Sequence, residues 1–517
     1  MVNFFMIQRD GSLVSLWQNE IPVYQPQNDP DTRAIYDVAI IGGGITGVSA
    51  AFQLQAAGKK CILIEANNLC FGTTGGTTAH LNTLLDTPYT RIIKNFGKDD
   101  AQLVAKATTE AIELIKTSIA ENQIECEFEE ASAYLFSQSG EQTEELDEIY
   151  EACGEVGLDV SYNLSLPVNI GFEKTIEVRS QGKFHPVKYV YGLARAFEKA
   201  GGVILQKTRV TGIEDIEGIT VETDNGSFRA ANLIYATHIP PGVNLLHMRC
   251  EAWRSYAMSF TTRDRKYTHD LVYDMYDPYH YIRSQNINGK EYMIVGGEDH
   301  KTGENENAEA SFLRLESYVR KHFNVDEILF KWSSQYFEPA DGLPYIGHLP
   351  GHPGNIFVAT GYGGNGMTYS SVAAIVLKKM ILEDDSPYIK LFDPNRVKPI
   401  AGFATFLKQN VDAFKKFVGK WFDREKLEEF ADLAPGEARV ANYRGEKLAL
   451  YKDERGELHA LCPTCTHMKC LVSWNNAEQS WDCPCHGSRF SPEGKVLTGP
   501  ADHDLEKIEL KTLVEHD

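Results

Sequence analysis

Two cysteine–histidine pairs late in the chain restrict what it can become more than any other feature. Cys465-Thr-His467-Met-Lys-Cys470 is followed, with fifteen residues between His467 and Cys483, by Cys483-Pro-Cys485-His486-Gly-Ser488. Two thiolates can hold one iron of a two-iron cluster while two neutral imidazoles hold the other. Such mixed ligation lowers the negative charge of the site and raises its potential. A zinc ion accepts the same residue types. The Cys-Pro-Cys-His-Gly-Ser run and the extra cysteines Cys470 and Cys485 weigh for a [2Fe–2S] cluster on Cys465, His467, Cys483 and His486.

A second constraint lies near the opposite end. An apolar strand, Val38 to Ile41, runs into Gly42-Gly-Gly44-Ile45-Thr46-Gly47, then an apolar helix to about Ala57 with Gly58 as its stop. A second strand, Cys61 to Ile64, ends in Glu65, 23 residues after Gly42. In a dinucleotide fold the first glycine makes the turn, the second lets the pyrophosphate approach the backbone, and the third allows close helix–strand packing. The acid accepts from the ribose hydroxyls. After Glu65 and Ala66 comes the hydroxyl-rich loop Phe71-Gly72-Thr73-Thr74-Gly-Gly76-Thr-Thr78, suited to phosphate and ring contacts. Much later, Asp341-Gly-Leu-Pro344-Tyr-Ile-Gly347 precedes a strand, Ile356 to Ala359, and the run Gly361-Tyr-Gly363-Gly364-Asn365-Gly366-Met367 opening a helix. Glycines at a helix start expose N–H groups and a positive dipole end, a place to stabilise an anionic reduced flavin ring.

These three segments in this order resemble the D-amino-acid oxidase-like flavoproteins, in particular glycine oxidase, sarcosine oxidase and the glutamylputrescine oxidase type. The resemblance covers about residues 35–385. It implies FAD, with further contacts at Val210, Ala236 and Thr237, and the oxidation of an amine or amino acid. Ser334 and Gly76 fall where relatives carry covalent flavin attachments, so the resemblance implies a non-covalent FAD. The cysteine–histidine stretch resembles the Rieske domains of cytochrome bc complexes. That likeness implies a Cys470–Cys485 disulfide and a hydroxyl donor to the cluster at Ser488. Where that family usually has a tyrosine donating to a cysteine sulfur, this chain has Phe490. Hydrogen bonds to the sulfurs favour the reduced cluster, so the lost donor predicts a lower potential.

The expected fold is therefore an α/β FAD-binding Rossmann-like domain with an α+β substrate domain, followed by a small all-β Rieske domain. The expected division is an N-terminal segment, 1–34; a discontinuous FAD domain, 35–85, 186–245 and 335–385; a substrate domain, 86–185 and 246–334; a helical linker, 386–432; and the Rieske domain, 433–517. Tyr279-His280-Tyr281-Ile-Arg283 and Met293 to Gly297 read as antiparallel strands. Tyr279, Tyr281 and Arg283 then share a face, with His280 on the other. The resemblance implies that this sheet faces the flavin and offers tyrosine and arginine to a substrate carboxylate, which an arginine fork matches. An ordinary surface strand fits the same pattern. Arg254 and Tyr256 are weaker candidates of the same kind. The apolar residues of 403–422 recur near helical spacing, as for a helix packed on the flavin domain.

At 517 residues the chain is long enough for about three domains. A net charge of −21 argues against nucleic acid and anionic membrane surfaces as partners. The first ten residues lack a basic region followed by a long apolar run, and no stretch reaches the length of a membrane span. Five of the ten cysteines crowd into 462–485 and the others are scattered, which is not a secreted disulfide framework. A cytoplasmic address is expected. Flavin and cluster on one chain predict an oxidoreductase that takes a hydride from the carbon beside an amine and passes electrons singly to the cluster. The expected partners are a small amine or amino-acid substrate and an external electron acceptor. A peroxide-forming oxidase with a structural cluster and a redox sensor remain alternatives. A mononuclear-iron oxygenase and an NAD(P)H reductase lack their motifs.

Overall fold

The structure, a computed structural model, describes residues 6–216, 218–304, 307–396, 433–443 and 446–509. Among these residues the first sheet has eight strands. Its main path runs Tyr345–His348, Ile356–Thr360, Gly226–Tyr235, Ile35–Ile41, Cys61–Ile64, Val203–Leu205, and the hairpin Val210–Asp215 with Ile219–Thr223 joins the start of Gly226–Tyr235. Ile35–Ile41 pairs in parallel with strands on both sides, Ile41 lying opposite Ile64 and Tyr235. Parallel strands covered on both faces require continuous apolar runs. All four residues of Cys61–Ile64 are buried. Helix Ile45–Ala56 packs against Pro186–Lys199 and Gly366–Ile381. Its end is fixed by Gly58 at φ +87°, where the Lys59 N–H turns back to the Leu54 carbonyl.

The second sheet has nine strands: Val325–Pro339, Cys250–Thr262, Lys290–Lys301, Tyr281–Ile287, Leu271–Asp274, Glu129–Ser137, Lys174–Lys183 and His80–Leu81 in order, with Val160–Asn163 also on Lys174–Lys183. The expected antiparallel pair is present, with Tyr281 opposite Gly296. The strand begins at Tyr281 rather than Tyr279 because the Asp274 carboxylate accepts from the His280 N–H at 2.7 Å, closing a turn over the intervening residues. His280 does face away from Tyr281: its Nδ1 meets Asp274 Oδ2 at 2.8 Å and its ring stacks on Tyr318 at 3.7 Å.

Residues 433–509 add a three-stranded sheet, Ala438–Tyr443, Glu446–Lys452 and Leu458–Leu461, and a four-stranded one, Ser473–Asn475, Ser480–Asp482, Arg489–Phe490 and Val496–Thr498. Before them, Pro387–Leu391 is a short helix and Arg396 forks onto Asp341 at 2.7 and 2.8 Å. The helix expected over 403–422 lies outside the described residues.

The segment before the first strand does more than its plain sequence announces. Trp17 is wholly buried, and the Asp10 and Ser12 N–H groups donate to the carbonyls of Phe71 and Glu478. Arg9 pairs with Glu478 at 2.9 Å, and Arg489 with Asp10 at 3.0 Å and Asp482 at 3.1 Å. Arg254 reaches Asp482 at 3.5 Å and donates to Ser333 Oγ at 2.7 Å. Three arginines and three carboxylates thus neutralise one another where the N-terminal segment, the second sheet and the cysteine–histidine domain meet. Buried charges persist only with such pairing.

Candidate active site and cluster site

One cavity of about 330 Å3 gathers almost every nucleotide-site residue read from the sequence. Gly42, Gly44, Ile45, Thr46, Glu65, Ala66, Gly72, Thr73, Thr74, Val210, Ala236, Thr237, Gly363, Gly364, Asn365, Gly366 and Met367 line it, as do Tyr279 and Tyr281. Gly47 and Gly361 are not in the lining. Gly47 serves packing, since a Cβ there would collide with the Gly42 carbonyl oxygen. Gly361, at φ +74°, holds the turn below Cys250 and Tyr345. A Cβ on Gly44 would crowd Thr74 Oγ1 at 3.1 Å and meet nothing else within 4 Å, and the residue lines the cavity.

These residues fit FAD. Glu65 accepts from the Gly43 and Asn67 N–H groups, both at 2.7 Å, which aims its carboxylate across the glycine turn with a lone pair on each oxygen to spare for ribose hydroxyls. Burial raises its pKa, against those hydrogen bonds and the nearby Arg209. At the other end, the helix Gly366–Ile381 starts behind Asn365, and the Gly364 N–H donates to Asp86 Oδ2 at 2.8 Å.

Arg283 departs from the expectation of a free fork for a substrate carboxylate. It is fully buried and absent from the cavity lining. Its guanidinium donates to the Thr78 and Ala79 carbonyls, at 2.9 and 2.5 Å, and to Gln285 Oε1. The loop Thr77 to His80 passes directly over it, and unpaired carbonyls capture its donors. Arg254 and Tyr256 are likewise occupied elsewhere, Tyr256 OH meeting His300 Nε2 at 2.9 Å.

Several contacts among the lining residues were not read from the sequence. Asp299 accepts from Ser255 Oγ and from Tyr336 OH at 2.9 Å, and burial pushes its carboxyl up to about 7. Tyr281 OH lies 2.8 Å from Ser255 Oγ. His80 Nδ1 meets Tyr273 OH at 2.7 Å while its Nε2 has no partner. Burial, then Arg283 and Lys183, hold its pKa well below the ordinary value, so the ring is neutral. The period-2 pattern of Ser255 and Ala257, and of Ser334 and Tyr336, was the available signal. Without knowing which strands face the cavity, it does not separate lining residues from core.

The same cavity is lined in part by the cysteine–histidine domain. Val496, Leu497, Thr498, Gly499, Ala501 and Asp502 line it together with the nucleotide loops. Arg209 donates to the Val496 carbonyl at 3.2 Å. Gln335 donates to the Gly487 carbonyl at 2.8 Å, while its own backbone carbonyl accepts from Thr73 Oγ1 at 2.7 Å. One residue therefore joins the cluster loop to the nucleotide loop.

Within that domain the disulfide joins Cys470 and Cys485, leaving Cys465 and Cys483 as free, buried thiols. The His467 and His486 rings lie 5.0 Å apart, nearly perpendicular. Both nitrogens of His467 and Nδ1 of His486 are buried without a hydrogen-bond partner. Native structures rarely leave such atoms orphaned unless a ligand completes them. Two thiols and two histidines so disposed fit a [2Fe–2S] cluster. Ser488, wholly buried, accepts from the Ala501 N–H at 3.0 Å, and Phe490, opposite Trp481, is equally buried. His247 of the flavin side packs its ring 4.7 Å from His467 and is held through its Pro240 and Asn244 contacts. Among the described residues no helix is long and apolar enough to cross a membrane.

Comparison with known proteins agrees with this architecture. Residues 37–380 match the family described as FAD dependent oxidoreductase, and residues 423–509 the Rieske [2Fe-2S] domain. YhfW of Bacillus subtilis (strain 168), named for a Rieske 2Fe-2S iron-sulfur protein, is 32% identical over 488 residues, covering 94% of this chain and 95% of that one. Gamma-glutamylputrescine oxidoreductase of Escherichia coli (strain K12) is 21% identical over 374 residues, covering 70% of this chain and 87% of that one. Among solved structures, glycine oxidase from Geobacillus kaustophilus superposes with a TM-score of 0.59 at 17% identity, over 70% of this chain and 99% of that one. A nucleotide cavity and a cluster site built into each other are thus the joint signature of this chain, which belongs to the DAO family of FAD-dependent oxidoreductases and carries a Rieske [2Fe-2S] domain beside its flavin site.

Proposed function

We propose that the protein dehydrogenates an amine or amino acid, leaving an imine, and that the electrons leave through its own Rieske cluster. The observation that carries this reading is the shared wall: the Rieske loop 496–502 lines the same cavity as the nucleotide loops, and Gln335 ties Gly487 to Thr73. Bound FAD supplies the hydride acceptor and the cluster a one-electron acceptor. The chain supplies the rest. Gly42 makes the turn, where a Cβ would strike the Ala236 carbonyl, and Gly44 would let the pyrophosphate approach the backbone. Glu65 would hold the ribose, and Asn365 and Gly366 would present a helix N-terminus to the ring end. Tyr279, Tyr281 and the Ser255–Asp299 pair form the polar wall that would orient the amine. Pro500, whose carbonyl accepts from the Gly242 N–H, helps seat the loop that closes the cavity to water. The name of the Escherichia coli relative supports an amine as the reducing substrate. The experiment is anaerobic mixing of the protein with amines and amino acids, following flavin absorbance and the EPR signal of the reduced cluster. With no external acceptor present the cluster takes one of the flavin's two electrons, so its signal is expected to grow to one electron per chain. In Cys465→Ser the flavin still bleaches with substrate but stays reduced. A wild-type cluster that remains oxidised while the flavin bleaches would overturn the internal electron path.

A further inference from the structure

The charged groups around the cavity divide unevenly between its two ends. Among the described lining residues the arginine is Arg209, and it lies at the Glu65 end, where it lowers the pKa of that acid. At the end marked by Gly364 and Asn365 the charged lining residues are Asp86 and Asp299. The other cations named so far, and one outside the lining, are committed to partners. Arg283 donates to Thr78, Ala79 and Gln285. Lys183 pairs with Glu129 at 3.2 Å, and Arg254 reaches Asp482 at 3.5 Å. Arg91, outside the lining, approaches Glu338 at 3.9 Å. His80 and His238 are neutral, their pKa values lowered chiefly by burial.

Around the two carboxylates stand four phenols, Tyr273, Tyr279, Tyr281 and Tyr336. Tyr279 and Tyr281 have their rings 5.8 Å apart. Asp299 receives one hydroxyl on each oxygen, from Ser255 and Tyr336, so each keeps a lone pair. Aromatic faces attract an ammonium through their quadrupole, and an ammonium arriving between Asp86 and Asp299 favours the ionised form of both carboxyls, which are otherwise pushed up. Among the described residues that line this end, none is a cation that would meet a substrate carboxylate.

Resting on the amine reading above, we propose that the substrate is a cationic amine without a carboxylate near its reacting carbon, its ammonium held by Asp299 and Asp86 within the tyrosine wall. Asp299 and Asp86 are then specificity-determining residues, and free α-amino acids are poor ligands.

The test measures binding as well as turnover. The FAD-loaded protein is titrated calorimetrically with tetramethylammonium chloride and with sodium acetate, and its flavin reduction is compared for 1,4-diaminobutane, glycine and N-methylglycine. Tetramethylammonium is expected to bind and acetate not, and Asp299→Asn should weaken tetramethylammonium by at least about tenfold. Asp299→Glu should restore part of that loss, and the melting curve and flavin spectrum of each variant report its fold. Asp86→Asn provides an independent variant at the other carboxylate. Acetate binding in place of tetramethylammonium, or unchanged tetramethylammonium affinity in both folded asparagine variants, overturns the proposal. Failure of every amine to reduce the flavin while tetramethylammonium still binds through Asp299 counts instead against the dehydrogenase reading.

Discussion

Phe490 shows how much one absent hydroxyl can settle. It is fully buried against Trp481 in the core of the cluster domain, so a tyrosine there would carry its hydroxyl into the same packed space. A hydroxyl donating towards a cluster sulfur favours the reduced state. Phe490→Tyr should therefore raise the midpoint potential, checked by EPR-monitored redox titration; an unchanged value would remove the argument. His280 makes a separate residue-scale case. Burial opposes its charge, but hydrogen bonds to Asp274 and Glu298 outweigh that and raise its pKa to about 9. A folded pKa above the unfolded one contributes stability in full below about pH 6.5 and loses it as pH rises through about 9, worth no more than about 3 kcal/mol. His280→Gln should accordingly be markedly less stable than wild type at pH 6, with the gap closing by pH 10, as denaturant melts at both values would show.

At the scale of elements, the cluster loop is fitted closely against the second sheet at Gly487. Gly487 sits at φ +76°, and a Cβ there would lie 2.5 Å from Ala252 Cβ and 2.9 Å from Gln335 Nε2. Gly487→Ala should strain the loop and push it off the sheet. The expected outcome is a melting temperature lower by several degrees and slower cluster reduction, with substrate bleaching of the flavin retained, measured by stopped-flow absorbance. Elements that carry their own chemistry were legible in the sequence. The glycine turn, both parallel strands, the acid at Glu65 and the four ligand positions of the cluster each need a residue type at a fixed spacing, and local spacing survives in a sequence. What was not legible depends on long-range approach. Arg283 alternates correctly with Tyr281 but is capped by the loop Thr77 to His80, some two hundred residues earlier in the chain. Asp299 and Asp86 come from distant segments, and nothing in either local pattern pairs them. The N-terminal segment reads as plain coil because its order comes from partners at Phe71, Glu478 and Arg489.

Across the whole molecule, those long-range partners bear on the proposed electron path. A cluster domain on a free tether would have to find its flavin by diffusion, and its reduction would slow as solvent viscosity rises. Here Arg9, Asp10, Glu478, Asp482, Arg489 and Arg254 bind three parts of the chain in one buried, mutually neutralised junction. Removing one member of such a set leaves an uncompensated buried charge, a cost of about 3–5 kcal/mol. Glu478 is the member to change, since it accepts from Arg9 and from both the backbone and hydroxyl of Ser333, and so touches all three parts. In the wild type, cluster reduction is expected to be independent of added sucrose, because the cluster domain already forms part of the cavity wall. In Glu478→Gln the domain is expected to loosen and the rate to fall with viscosity, while substrate still bleaches the flavin normally. Viscosity-dependent transfer in the wild type would mean that the docked arrangement is not the one that passes electrons.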